Sequence, residues 1–329
     1  MNLNNLEDRI FDMQALGFSE ENIKKMQELM EKNAVSFNLY ETHRADKGGV
    51  IDYTVYIKKS AQSDFYYLPK FDAVQDKVKT GPEQKYLVIT PHEEPGKSLV
   101  RKLETINEAL DYFALQPKAE LAIGKDAKSK LSLAQREGGK VIYAERNFRS
   151  VIGQPPIPQT FYVEEGKGMT KIQAGNLVQG RAVFRDDLVN FQGQPYTAWI
   201  ALNFNKPRDR YGNYPLQIYS VPNYGFDLKT SLSEYKIGEM EQPKLAAQIE
   251  NAICNGERII VTCTNADNEK KQVFMEASVR FRTLNFFRMD GKPEMREQFL
   301  KLGASQRVSG QMLSNNQSQQ QENGARVRR

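Results

Sequence analysis

The spacing of apolar residues changes along the chain, and it predicts helices followed by strands. Before residue 33, apolar side chains recur every three or four positions, which is typical of two short amphipathic helices. Over residues 34–71 the period falls to two, so three strands are expected. Pro69 interrupts the third strand in this interpretation, because proline cannot donate to a strand ladder. Residues 1–75 are therefore predicted to form a helix followed by an antiparallel meander.

The same order of elements returns twice. A helix over 245–254 precedes three strand-like runs that end near residue 291. A looser copy lies at 170–221, where Thr170 is expected to cap the helix. A period of about fifty residues is typical of internal repeats. The predicted fold class is α+β, built from repeated helix plus three-stranded meander units, with helices packed on antiparallel sheets.

The remaining segments set the predicted domain boundaries. Residues 76–150 carry their own strand at 86–90 and a helix predicted over 98–115, which suggests an inserted α/β subdomain. Three prolines make 151–160 a linker. A C-terminal core with two helix-meander units spans 161–303, and the polar, basic tail 304–329 is expected to be disordered.

Charge adds one feature to this picture. The chain has 329 residues and a net charge of +5, and its apolar and charged fractions of 40% and 26% are those of ordinary globular proteins. From Glu276 onward there are ten basic and five acidic side chains, so this end carries the whole excess. A basic end permits contact with a polyanion, and it also serves as a solubilising tail; the sequence leaves both open.

Residue types that support catalysis or metal binding are sparse. The two cysteines, Cys254 and Cys263, have no CxxC spacing, and the two histidines, His43 and His92, are predicted at a strand end and in a polar loop. The first residues have neither a basic n-region nor an apolar h-region, so no signal peptide is expected, and no apolar run is long enough to span a membrane. We therefore expect a cytoplasmic protein with free thiols that is not an enzyme and holds no metal and no cofactor.

A glycine-flanked lysine raises the question of a phosphate-binding loop. GKGMT places Lys167 between Gly166 and Gly168, but a Walker loop needs a glycine five residues before the GK pair, and none is there. The dinucleotide fingerprint fails as well, because Lys171 occupies the position of its third glycine. The interpretation that remains is a turn followed by a capped helix.

Basic residues beside aromatic residues are the most informative candidates. The loop NKPRDRYGNY and the strand segment VRFRTLNFFR supply the tentative nucleic-acid-binding residues Lys206, Arg208, Arg210, Arg280, Arg282 and Arg288. Because the loop is polar, its three basic side chains are expected to point into water. YTVYIKK and DFYYLPKF also alternate aromatic and basic side chains, a pattern that could stack bases and hold phosphates. The alternative is that the aromatics, among them Tyr53, Tyr56 and Phe281, form the core and the charges its solvated back.

Three short motifs follow one another closely: QTFY at 159–162, GKG at 166–168 and GRAV at 180–183. This series resembles the hallmark of a domain family of Bacteroidota that is common on conjugative and other mobile elements. YGFDL at 224–228 and EASVRFRTLNFF at 276–287 resemble two further blocks, and SVR departs from the family's usual NPQ. The resemblance leaves out residues 76–149. It implies a mobile-element setting, and it brings no catalytic or binding residues with it.

We therefore expect an accessory protein of a mobile genetic element that binds nucleic acid, such as DNA, or a nucleoprotein complex. The alternative is a protein-interaction module that engages a host or element-encoded protein. A third alternative, an enzyme, would need a pocket with convergent polar groups, and the sequence shows no sign of one. The sequence leaves the oligomeric state open.

Overall fold

A computed structural model describes residues 3–46, 48–81, 83–94, 96–163 and 167–301, with side chains from Asn5 onward. The predicted tail 304–329 lies outside these residues. The helices are α1 Leu3–Ala15, α2 Glu20–Glu31, α3 Ile106–Ala114, α4 Arg149–Gly153, α5 Lys171–Val178, α6 Leu228–Ser233 and α7 Pro243–Cys254. The strands are β1 Ser36–Arg44, β2 Val50–Lys59, β3 Tyr66–Asp76, β4 Lys85–Pro91, β5 Ser98–Leu103, β6 Ala119–Gly124, β7 Lys130–Glu137, β8 Lys140–Ala144, β9 Gln159–Tyr162, β10 Val183–Val189, β11 Pro195–Leu202, β12 Leu216–Val221, β13 Ile259–Thr264, β14 Lys270–Ser278, β15 Thr283–Phe287 and β16 Pro293–Glu294.

Within these ranges the protein is a mixed α and β structure with four antiparallel sheets. Their strand orders are β1-β2-β3-β9, β5-β4-β6-β7-β8, β10-β11-β12 and β13-β14-β15-β16. Two compact units contain them: one holds the described residues up to Gly180 together with Leu202–Leu216, and the other holds the rest. The boundary after Gly180 divides the predicted 161–303 core between the two units.

The first sheet has a covered inner face. Helices α1 and α5 contact β3, and α2 contacts β1. Inward-facing Tyr53, Val55 and Phe71 are almost completely buried, because the strand pleat directs alternate side chains to one face. Ser19 caps α2, and Thr170 caps α5 through a complete capping box with Gln173. The predicted cap at Thr170 is confirmed.

The break predicted at Pro69 is wrong. β3 continues through Pro69 to Asp76. The register of β2 on β3 shifts between Tyr56 and Lys58, which is a bulge, and Pro69 lies in that part of the strand. A bulge leaves a residue without a ladder partner, so the missing N–H of proline costs nothing there. The carbonyl of Pro69 accepts a 2.9 Å hydrogen bond from the Val163 amide.

The chain leaves this sheet after β3 and returns at β9, which pairs antiparallel with β3. Between the two, the five-stranded sheet packs against α3 around a separate core that includes Tyr86, Leu121 and Phe113. The helix predicted over 98–115 is wrong in its first half. Ser98–Leu103 is the edge strand β5, and the helix begins only after Thr105, whose capping box with Glu108 sets its start.

In the second unit, α7 contacts both β10 and β13. The core beneath includes Trp199, Leu232, Ile253 and Phe286. The helix predicted to open the middle repeat packs elsewhere: α5 contacts β3 of the first sheet. Gly175 allows this close approach, because a Cβ at that position would overlap the hydroxyl oxygen of Tyr53. The middle copy therefore does not form a helix-meander unit of its own.

Candidate functional site

Two exposed arginines lie in and directly after the turn that joins β14 to β15. Val279–Phe281 forms one turn of 3₁₀ helix, anchored in the core by the buried Val279. Arg280 and Arg282 both lie at the surface of this turn. Arg282 ends it in the left-handed conformation, with φ 54° and ψ 42°. The turn therefore presents both guanidinium groups to solvent from a fixed backbone.

Aromatic rings lie directly beneath these arginines. The guanidinium of Arg282 lies 4.8 Å from the centre of the Tyr224 ring, and that of Arg280 lies 5.5 Å from the centre of the Phe281 ring. Tyr224 packs against Tyr219 of β12 with 4.6 Å between ring centres, and its hydroxyl donates to the carbonyl of Arg280. Phe281 is 53% exposed. We call Tyr219, Tyr224, Arg280, Phe281 and Arg282 the arginine–tyrosine cluster.

The cluster is positively charged. Among the residues that the structure describes, no carboxylate lies within 4 Å of Arg280 or Arg282. Arg258, which directly precedes β13, is different, because it forms a 2.7 Å ion pair with Glu276. Burial raises the pKa of Tyr219, the neighbouring Tyr224 adds to the rise, and the charge of Arg280 opposes it. The electrostatics of the cluster therefore favour an anion.

The sequence identified Arg280 and Arg282 but not the two tyrosines. Tyr224 belongs to the YGFDL motif, which the sequence analysis singled out. Its contact with Arg280, 56 residues away, cannot be predicted from neighbouring residues. The alternative that Phe281 is a core residue is wrong, since half of its surface is exposed. Arg288 is exposed at the end of β15 and lies 3.7 Å from Asp290. A backbone hydrogen bond from Lys292 lowers the pKa of Asp290, and Arg288 adds to this effect.

The basic loop NKPRDRYGNY belongs to the first unit, and Arg208 is held there by contacts that the sequence analysis did not predict. The guanidinium of Arg208 lies 4.0 Å from the centre of the Tyr214 ring and donates to the carbonyls of Ile157, at 3.0 Å, and Gly212. Arg208 therefore turns back onto its own unit and does not extend into water as predicted. Lys206 and Arg210 are exposed, and Arg210 lies over the Tyr211 ring.

Other polar contacts tie this loop to β9. Asn213 Oδ1 accepts from the Thr160 amide at 2.7 Å, and Gln159 Oε1 accepts from the Tyr214 amide at 2.9 Å. The six predicted residues thus lie in two places. Lys206, Arg208 and Arg210 occupy this loop of the first unit, and the three other arginines lie in the second.

A buried charged network joins the first sheet to the five-stranded sheet. Lys79 is fully buried, and its Nζ lies 3.0 Å from Asp52 Oδ1 and donates to the carbonyl of Glu104. The Tyr86 hydroxyl donates to Asp76 at 2.5 Å. Burial raises the pKa of Asp52 to about 7, although the Lys79 charge opposes the rise. Perturbed groups sometimes mark a catalytic site, but these side chains are almost completely buried and contact one another across the two sheets.

A polar groove of about 440 Å³ lies between α2 and β1. Most of its charged side chains are paired: Glu21 with Lys25, Glu41 with Lys171, and Lys85 with Glu104. Burial raises the pKa of Tyr40 to about 12, and the hydrogen bond to Glu108 adds to it. The charged side chains that line the groove therefore mostly neutralise one another.

The cysteine and histidine side chains are the remaining candidates for catalysis or metal binding. Burial raises the pKa of Cys254 to about 11 and that of Cys263 to about 12, so neither thiol is activated. His43 is exposed on β1, and His92 accepts a hydrogen bond from the Glu94 amide. In the described ranges, no group of three or more histidine, cysteine or acidic side chains is arranged to hold a metal ion.

Comparison of the chain with family models, curated proteins and solved structures finds no match in any of the three. Of the helices that the structure describes, none combines the length and the apolar composition needed to span a membrane.

Proposed function

We propose that the protein is a non-enzymatic accessory protein that binds nucleic acid through the arginine–tyrosine cluster. The observation that carries the proposal is the pair Arg280 and Arg282, which are exposed, have no carboxylate partner among the described residues, and lie over Tyr224 and Phe281. Guanidinium groups bind phosphate, and exposed rings stack on bases. Both chemistries occur here within one turn.

The backbone of Arg282 supports a functional role. Three non-glycine residues of the described ranges have positive φ, and two of them are asparagines, the residue type that tolerates this conformation best. The third is Arg282. An arginine there costs about 1 kcal/mol relative to glycine. A strained residue with an exposed charge is more simply explained by a contact that it makes than by folding.

The proposed setting is a mobile genetic element in the cytoplasm. Two segments that resemble the mobile-element family, YGFDL and EASVRFRTLNFF, meet in the cluster, because Tyr224 belongs to one and Arg280 to the other. This contact supports a shared role for the two segments.

The test is titration of labelled single-stranded and duplex DNA with the full-length chain, and with a chain that ends at Gly303. Binding that weakens steeply with salt and survives removal of the tail supports the proposal. Binding that disappears with the tail assigns the interaction to the tail. Absence of binding at low salt contradicts the proposal.

A protein-interaction module is a second candidate, and the edge strand β8 favours it. β8 pairs with β7 on one side, and Val141, Ile142 and Tyr143 are consecutive exposed apolar residues. Exposed apolar edge strands accept strands from partners. Affinity capture with the wild type and with Ile142→Lys tests this, and Leu115→Lys, at another exposed position of the same subdomain, is the control.

We also propose a helix-meander repeat, restricted to two copies. α1 and α2 precede β1–β3, and α7 precedes β13–β15, each as a helical segment followed by an antiparallel meander. Superposition of the two segments, each taken alone, tests the proposal. A common order without a common packing of helix on sheet would overturn it.

A further inference from the structure

The outer face of the first sheet carries tyrosines and lysines at its open end. The register places Lys58 opposite Tyr67, and Lys70 opposite both Tyr56 and Tyr162. Because directly opposed side chains share a face, these five residues form one surface across β2, β3 and β9. We call it the tyrosine–lysine face.

Half of the outer face is covered, and the other half is open. At the covered end, Lys79 reaches Asp52, and Tyr40 donates to Glu108, so the five-stranded subdomain lies against it. At the open end, Tyr67 is 51% exposed and Tyr162 is 63% exposed. Two large aromatic side chains exposed on one face offer ring surface to a ligand.

The charges of the open end are available for a ligand. In the described part of the chain, no carboxylate lies within 4 Å of the amino group of Lys58 or Lys70. Lys70 Nζ lies 4.6 Å from the centre of the Tyr56 ring. The carboxylate of this face, Asp72, is 8% exposed and accepts from the Tyr56 hydroxyl at 2.8 Å and from Thr160 Oγ1 at 2.7 Å. These hydrogen bonds hold Asp72 below the surface formed by the rings.

We propose that the tyrosine–lysine face binds single-stranded nucleic acid, with bases stacked on Tyr67 and Tyr162 and phosphates held by Lys58 and Lys70. The proposal rests on the proposed function and adds a second site and a substrate class. In a duplex, the base faces are covered by neighbouring bases, so exposed tyrosines select single strands. Every base has a stackable face, so the sequence preference should be weak.

The sharpest variant is Tyr67→Ala with Tyr162→Ala. Both rings are largely exposed, so their truncation leaves the core intact, and thermal unfolding verifies this. We expect the affinity for labelled oligothymidine to fall at least about tenfold, while Tyr67→Phe with Tyr162→Phe retains it. Phe191→Ala, at a fully exposed aromatic ring outside this face, serves as the control.

The contribution of Lys58 and Lys70 is measured separately, through the salt dependence of binding. Lys58→Gln with Lys70→Gln should reduce the slope of log K against log salt by about 0.7 for each lysine, with Lys128→Gln and Lys140→Gln as controls. If the wild type binds and the Tyr67/Tyr162 alanine variant binds equally well, this site is overturned while the proposed function stands. If the wild type binds no DNA at low salt, both are overturned.

Discussion

The hydroxyl of Tyr224 donates a 2.8 Å hydrogen bond to the carbonyl oxygen of Arg280. This bond joins the loop after β12 to the turn between β14 and β15. It also places the Tyr224 ring beneath the guanidinium of Arg282. One tyrosine therefore holds the backbone of one arginine and supports the side chain of the other.

Replacement of Arg282 by glycine should separate stability from binding. Glycine adopts φ 54° without the Cβ strain, so we expect the free energy of unfolding to stay the same or rise by about 1 kcal/mol. Affinity for single-stranded DNA should fall, because the proposed phosphate contact is lost. Chemical denaturation and a DNA titration measure the two effects. A variant that is less stable and binds as well as the wild type would contradict the account.

Arg208 should matter for stability and not for binding. Its guanidinium bonds to carbonyls of its own unit, so Arg208→Gln should lower the free energy of unfolding by about 1.5–3 kcal/mol. The exposed neighbour Lys206, changed to Gln, should alter stability by no more than about 0.5 kcal/mol. If Arg208→Gln is as stable as Lys206→Gln and binds DNA more weakly, Arg208 is a phosphate contact after all.

Gly175 and Tyr53 should be energetically coupled. Gly175→Ala forces a methyl group against the Tyr53 hydroxyl, and such overpacking costs about 1–3 kcal/mol. Tyr53→Phe removes that oxygen and leaves the ring carbon Cζ at 3.4 Å, so alanine should cost less in this background. A double-mutant cycle by denaturation measures the coupling. Strictly additive effects would show that α5 is free to shift away from the sheet.

The pH dependence of stability should report on Asp52. Its folded pKa of about 7 lies above the ordinary value of 3.8, because burial disfavours the carboxylate. The stability contributed by its bound proton is complete below pH 3.8 and is lost as pH rises through 7, by at most about 4 kcal/mol. Asp52→Asn cannot titrate, so its profile between these pH values should be flatter than that of the wild type. Parallel profiles would mean that Lys79 keeps Asp52 ionised throughout.

Sequence patterns predict helices and strands better than they predict which elements pack together. The capping residue Thr170 and the period-two strands were readable, because each depends on neighbours in sequence. The helix predicted over 98–115 failed because Leu99, Leu103 and Ile106 fit helical spacing, although the first two belong to an edge strand. The signal that resolves this is the TINE capping box at Thr105, which starts a helix there.

The packing of α5 and the composition of the candidate site depend on contacts between residues that are far apart in sequence. α5 precedes β10 in sequence but packs on β3, a contact between residues about a hundred positions apart. Arg208 was predicted as exposed because its loop is polar, and it turned inward because the carbonyls of 157 and 212 offered partners. The Tyr224–Arg280 contact likewise depends on tertiary structure alone.

Binding through the arginine–tyrosine cluster is tested by comparing full-length wild type with the double variant Arg280→Gln and Arg282→Gln. Affinity for a labelled single-stranded oligonucleotide is measured between about 50 and about 200 mM salt. The pair Arg44→Gln and Arg146→Gln, at exposed positions elsewhere, is the control. The double variant should bind more weakly, with a salt slope reduced by about 0.7 for each of the two arginines, and the control should bind as the wild type does. Equal affinity and slope in wild type and double variant would contradict binding through this cluster.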